Sequence, residues 1–93
     1  MCSFNEFQQA VKDAVATIYK RYLDWKDRGV FEIMPRITTE TVCQELSLHG
    51  YSKQASIETV ELHLEKLYDV GQIKRDAGFT PVGEHYVAYL PVS

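Results

Sequence analysis

An apolar stripe along the first quarter of the chain constrains the fold more than any other sequence feature. Apolar side chains recur there at steps of three and four residues: Phe4, Phe7, Val11, Ala14, Val15, Ile18, Tyr22 and Trp25. At 100° per residue they fall on one side of a helix. Ser3 and Glu6 have the spacing of a capping box, and Gly29 is a plausible stop. The sequence therefore predicts a first helix over residues 4–28, about 37 Å long.

This helix is long for the chain that carries it. A chain of 93 residues is expected to form one domain, residues 1–93, with one modest core. Such a core does not easily cover the whole stripe, so two interpretations stay open. Either the stripe is entirely intrachain core, or it also forms a homodimer interface through Phe4, Phe7, Val11, Ile18, Tyr22 and Trp25.

Several classes of protein are excluded by what the sequence lacks. It has no run of ~20 apolar residues and no basic-then-apolar leader, so we expect a soluble, cytoplasmic domain without membrane contact. Cys43 lies in an apolar pattern typical of a buried free thiol, and the widely spaced histidines suggest no metal site. No nucleophile motif or phosphate loop is present, so neither an enzyme nor a cofactor is expected.

The remainder of the chain divides into short elements. Residues 31–36 contain Pro35 and fit an edge strand or a linker. Thr38 or Thr39 caps a second helix that ends at Leu48, with Val42, Cys43 and Leu46 on its inner side. Ser56 caps a third helix that ends at Val70, and its predicted inner face comprises Ile57, Val60, Leu64, Leu67 and Tyr68.

The C-terminal segment predicts a hairpin. A short strand at residues 73–75 and a second one at residues 85–90 flank a loop that is rich in glycine and proline. The second segment could instead be a short helix, with Thr80 as its N-cap and Pro81 in its first turn. We favour the strand because the segment is rich in β-branched and aromatic residues.

The order helix, short strand, helix, helix, hairpin resembles the winged-helix, or winged helix-turn-helix, superfamily. The residues that carry the resemblance lie within residues 37–90 and are Ser56, Thr59, Val60, Leu64, Leu67, Gly71 and Ile73. They are similar to the recognition helix and first wing strand of small bacterial and phage-type transcription regulators. The expected fold is therefore α+β. The turn over residues 48–56 is longer than the tight turn of that motif.

The resemblance implies a DNA-binding module that regulates transcription, and the long apolar stripe adds the hypothesis that it is dimeric through the first helix. The third helix would enter the major groove of double-stranded DNA. Residues before that helix, on it and on the wing would make the contacts: Lys53, Gln54, Thr59, His63, Lys74 and Arg75.

The charge of the third helix favours a different partner. Its outer face is predicted to carry Glu58, Glu61, Leu62, Glu65 and Asp69, and the chain has a net charge of −3. Carboxylates repel DNA phosphates, whereas an exposed leucine among charges is typical of a protein interface. The alternative function is therefore an adaptor or inhibitor whose acidic face binds a basic protein. A solvated face without a partner would show the same pattern. A third hypothesis is a structural subunit whose long first helix is the entire interface.

Overall fold

Three helices precede a two-stranded antiparallel sheet. The computed structural model describes residues 4–30 and 36–92, and it describes only the backbone of residues 4 and 5. The elements are α1 (Phe4–Asp27), α2 (Thr39–Leu48), α3 (Ile57–Asp69), β1 (Ile73–Phe79) and β2 (His85–Pro91). The α+β class is thus confirmed. The predicted cap at Ser3 and the predicted strand or linker before Arg36 lie outside the described residues.

Helix α1 supplies the chain's own core. It has 24 residues, and the stripe from Phe7 to Ile18 is buried against the other elements. Phe7, Val11 and Ile18 are therefore unavailable to a second copy, which corrects the dimer hypothesis for these three side chains. Beyond Ile18 the apolar stripe becomes exposed to solvent: Tyr22 is half-buried and Trp25 is exposed. The side chain of Phe4 lies outside the described part of the chain.

Side-chain caps fix where the two shorter helices begin. The Oγ1 of Thr38 accepts a hydrogen bond of 3.3 Å from the backbone N–H of Thr41, so Thr38 rather than Thr39 caps α2. The Oγ of Ser56 accepts one of 3.1 Å from the N–H of Thr59. Each cap satisfies an N–H that has no partner within its helix. The predicted caps are confirmed.

A buried carboxylate joins α1 to α2. The side chain of Glu45 is 4% exposed, and Arg21 donates hydrogen bonds of 2.9 and 3.2 Å to its two oxygens. The Nε2 of His49 lies 2.8 Å from one of these oxygens. The hydrogen bonds from Arg21 are the main reason why the pKa of Glu45 is below its usual value of 4.5, and burial opposes them. Because the folded chain favours the carboxylate, this stabilisation is present above pH 4.5 and is lost as the pH falls below it.

The C-terminal segment forms a hairpin, as predicted, so the alternative of a terminal helix is wrong. Strand β1 runs to Phe79, four residues beyond the predicted strand, because residues 76–79 pair with β2 instead of belonging to the loop. In the antiparallel register Arg75 faces Tyr89, Ala77 faces Val87 and Phe79 faces His85. These pairs lie on one side of the hairpin because alternate residues share a face. Ile73 and Tyr89 are buried on that side, which therefore packs on the helices.

Strand β2 is also tied to the segment that precedes α2. The backbone N–H of Tyr89 donates a hydrogen bond of 2.8 Å to the carbonyl oxygen of Ile37, and both residues are buried. The outer edge of β2 is therefore attached to the body of the molecule at this point.

We predict that Glu45→Gln lowers the free energy of unfolding at neutral pH by about 1–3 kcal/mol, because Arg21 loses its charged partner. Urea unfolding followed by circular dichroism measures this difference. It should shrink as the pH falls below 4.5, where the carboxylate of the native protein also becomes protonated. The matched control is Glu40→Gln on the exposed side of α2, with a change within about 0.5 kcal/mol. An equal loss in both variants would contradict the role of Glu45.

Candidate functional site

The outer face of α3 is acidic, as predicted. Val60, His63, Leu64 and Leu67 are buried on one side of the helix. The opposite side carries Glu58, Glu61, Leu62 and Asp69, which are exposed, and Glu65, which is half-buried. We call these five residues the acidic face of α3. Glu58 and Asp69 are 11 positions apart, so the face is about 16 Å long at 1.5 Å per residue.

Two residues at the margins of α3 differ from the prediction. Ile57 and Tyr68 were expected on the inner face and are exposed. Both lie about 80–100° from Glu58 around the helix, which is the boundary between the two sides. The guanidinium of Arg75 covers the ring of Tyr68 at 4.2 Å, so this tyrosine contacts the hairpin instead of the core.

His63 belongs to the core and not to the surface. It is 4% exposed, and its ring packs edge-on against Phe7 with 4.9 Å between centroids. This corrects the expectation that His63 reaches a base edge. Burial lowers the pKa of His63 from 6.5, with a smaller contribution from Lys66, so folding favours the neutral ring. The stability that depends on the neutral ring is present above pH 6.5 and is lost as the pH falls below it.

One carboxylate of the acidic face holds the hairpin. Glu65 accepts a hydrogen bond of 2.6 Å from Nη1 of Arg75 and one of 3.2 Å from the hydroxyl of Tyr89. We call these three residues the Glu65 joint. Burial and the nearby carboxylate raise the pKa of Tyr89 to about 12. The charge that was predicted to contact a DNA backbone, that of Arg75, is thus compensated within the chain.

The other predicted DNA contacts lie before α3, in its cap and on the hairpin. Lys53 and Gln54 are exposed in the turn before α3. The hydroxyl of Thr59 accepts a hydrogen bond of 2.8 Å from Ser56, within the cap. Lys74 is exposed, but strand alternation places it on the opposite side of the hairpin from Arg75. The structure therefore separates Lys74 from Arg75, two cations that were predicted to contact DNA together.

A shallow cavity lies between α1 and the C-terminal end of α2. It has a volume of about 600 Å³, and its lining includes Asp13, His49 and Tyr51. Across residues 4–30 and 36–92, no three His, Cys, Asp or Glu side chains are grouped closely enough to hold a metal ion.

Comparisons with known proteins give no relative. No family model, no curated protein and no solved structure matches this sequence. Within the part of the chain that is described, no helix has the length and apolarity needed to cross a membrane.

We predict a large difference between two leucines of α3. Leu64→Ala removes a fully buried side chain and should lower the free energy of unfolding by about 2–5 kcal/mol. Leu62→Ala, two positions away on the acidic face, should change it by no more than about 0.5 kcal/mol. Urea unfolding of both variants measures the two values. Similar losses in both would mean that α3 is rotated from the orientation described above.

We predict that Tyr89→Phe removes the late part of the tyrosine titration, because the pKa of Tyr89 is about 12. The unfolded chain releases this proton near pH 10, so the native protein should lose up to about 3 kcal/mol of stability between pH 10 and 12. Phenolate absorbance and urea unfolding at these pH values measure both effects. Tyr86→Phe, on the other side of the hairpin, is the control. The same pH slope in Tyr89→Phe and the native protein would contradict the assignment.

Proposed function

We propose that this chain is a winged-helix module that binds a basic segment of a partner protein through the acidic face of α3. The observation that carries the proposal is the composition of that face. Three exposed carboxylates, those of Glu58, Glu61 and Asp69, lie on the same side of α3 as Leu62, which is 53% exposed. An apolar side chain within a charged surround is the usual arrangement of a protein interface.

The winged-helix assignment is supported by the order of the elements and by one hydrogen bond. Three helices precede the hairpin, and the third leads into it at Gly71 with a φ of +77°. The bond between the Tyr89 N–H and the Ile37 carbonyl joins the hairpin to the segment before α2. The winged-helix order has a short strand in that position.

Charge favours a protein partner over DNA. Most nonspecific affinity for DNA comes from cations that contact phosphates, and carboxylates on the same surface oppose it. The acidic face carries four carboxylates among its five residues. The nearby cation Arg75 is already paired with one of them, that of Glu65, at 2.6 Å. Lys74 lies on the other side of the hairpin, and His63 is buried. A basic polypeptide is attracted by the same charges that repel a duplex.

DNA binding is the second candidate function, and one observation favours it. Lys53 and Gln54 are exposed directly before α3, where the start of the helix could approach a phosphate. In this alternative the chain is a transcription regulator, and the wing cation Lys74 contributes a further phosphate contact. The two candidates predict opposite effects of reversing charges on α3.

The test uses a fluorescent peptide of about 18 residues, which corresponds to five helical turns. The peptide contains only lysine and leucine, spaced so that the helix has one basic and one apolar side. Glu58→Lys combined with Glu61→Lys should weaken its binding at least about tenfold in fluorescence anisotropy. The matched control changes two exposed acids elsewhere by the same charge, Asp27→Lys with Glu40→Lys. It should bind the peptide with less than about a threefold change, because it keeps the acidic face.

Two kinds of result would overturn the proposal. One is that the native chain does not bind the peptide, or that the control variant loses as much affinity as the variant with Glu58→Lys and Glu61→Lys. The other is binding of short duplex DNA by the native chain at about 50 mM salt, with a stronger signal after the Glu58→Lys and Glu61→Lys changes. That second result would establish the DNA-binding alternative.

A further inference from the structure

The hairpin exposes two large apolar side chains at its far end. Phe79, the last residue of β1, is 71% exposed, and Val82 in the loop is 82% exposed. Phe79 contacts His85 across the strands, with 5.5 Å between ring centroids, but this contact leaves most of its surface in water. The two residues lie three positions apart at the same end of the hairpin, and contiguous exposed apolar surface is a mark of protein interaction sites.

Hydrogen bonds within the loop hold this end of the hairpin in one conformation. The backbone N–H of Thr80 donates to the carbonyl of Glu84 at 2.8 Å, and the N–H of Glu84 donates to Oγ1 of Thr80 at 3.1 Å. Gly83 donates to the carbonyl of Thr80 at 2.8 Å, with a φ of +88° that glycine adopts without strain. Val82 is therefore presented by an ordered loop, which reduces the entropy lost when a partner binds.

The Glu65 joint fixes the position of the hairpin, and so of Phe79 and Val82, relative to the acidic face of α3. Arg75 contacts Glu65, and Ala77 and Phe79 follow Arg75 on the same side of β1. At about 3.3 Å per residue, Phe79 lies about 13 Å along the strand from Arg75. Ala77 is exposed and Val87 opposite it is half-buried, so the strip between the joint and Phe79 is also apolar.

We infer that the partner is an amphipathic basic helix, with cations that contact the acidic face of α3 and an apolar side that contacts Phe79 and Val82. This inference rests on the proposed function and specifies its partner. A segment that is only basic would leave Phe79 and Val82 in water, and one that is only apolar would leave Glu58, Glu61 and Asp69 without cations. A helix with both sides satisfies both surfaces, and it needs about three turns to follow the 16 Å of the acidic face.

The experiment compares two fluorescent peptides, the lysine–leucine helix described above and a scrambled peptide of the same composition that has no apolar side. The native chain should bind the amphipathic peptide at least about tenfold more tightly than the scrambled one. Phe79→Ser combined with Val82→Ser should remove this preference and leave the affinity for the scrambled peptide unchanged. Val30→Ser, which changes a 62% exposed apolar residue beyond the C-terminal end of α1, is the matched control and should change neither affinity.

A second variant and a second measurement check that loss of the peptide preference is not caused by unfolding. Val82→Ser alone alters only an exposed loop residue and should reduce the preference about threefold, and the urea midpoint of each variant is compared with that of the native chain. If the Glu58→Lys and Glu61→Lys variant loses binding but the hairpin variants keep the full preference, the inference about the partner is wrong and the proposed function stands. If neither set of variants affects binding, both are wrong. Light scattering at the same concentrations tests whether a second copy of the chain covers Phe79 and Val82. A tight dimer that is abolished by Phe79→Ser would overturn the inference.

Discussion

The position of the hairpin on α3 depends on the hydrogen bonds that the carboxylate of Glu65 accepts. This carboxylate accepts hydrogen bonds from Arg75 on β1 and Tyr89 on β2, so one side chain of the helix is bonded to both strands. Tyr89 also bonds through its backbone to Ile37, which extends the connection to the segment before α2. A hairpin of two strands is only marginally stable alone, so these bonds and the burial of Ile73 and Tyr89 fix its position.

The Glu65 joint also determines the charge of the exposed surface. An ion pair joins Glu65 of α3 to Arg75, and the exposed carboxylates of the acidic face are those of Glu58, Glu61 and Asp69. The chain's net charge of −3 would be compatible with many distributions. The folded chain places negative charge on the outer side of α3 and Lys74 on the far side of the hairpin, so the surface that carries Leu62 attracts cations.

Periodicity predicted the elements and most of the acidic face, because a period of 3.6 residues determines which side of α3 is buried once Val60, Leu64 and Leu67 are recognised. His63 lies about 40° from Leu67 on the same wheel, at the margin of the buried side, so the sequence contained the signal that it is buried. A period of two would likewise have separated Lys74 from Arg75. The contact between Glu65 and Arg75 was not predictable, because it depends on the angle at which the hairpin crosses α3. That angle is set by packing at Ile73 and Tyr89.

The long first helix separates two surfaces. Its N-terminal half packs beside α3, where Phe7 contacts His63, and its exposed apolar residues, Leu23 and Trp25, lie near the other end of a helix about 36 Å long. A second copy that used Leu23 and Trp25 would bury the C-terminal end of α1 and would leave the N-terminal half of that helix, beside α3, uncovered. Self-association through α1 and partner binding through α3 would then be independent events. A substitution at Trp25 would change the oligomeric state without changing the affinity of the acidic face, since the two surfaces share no residue.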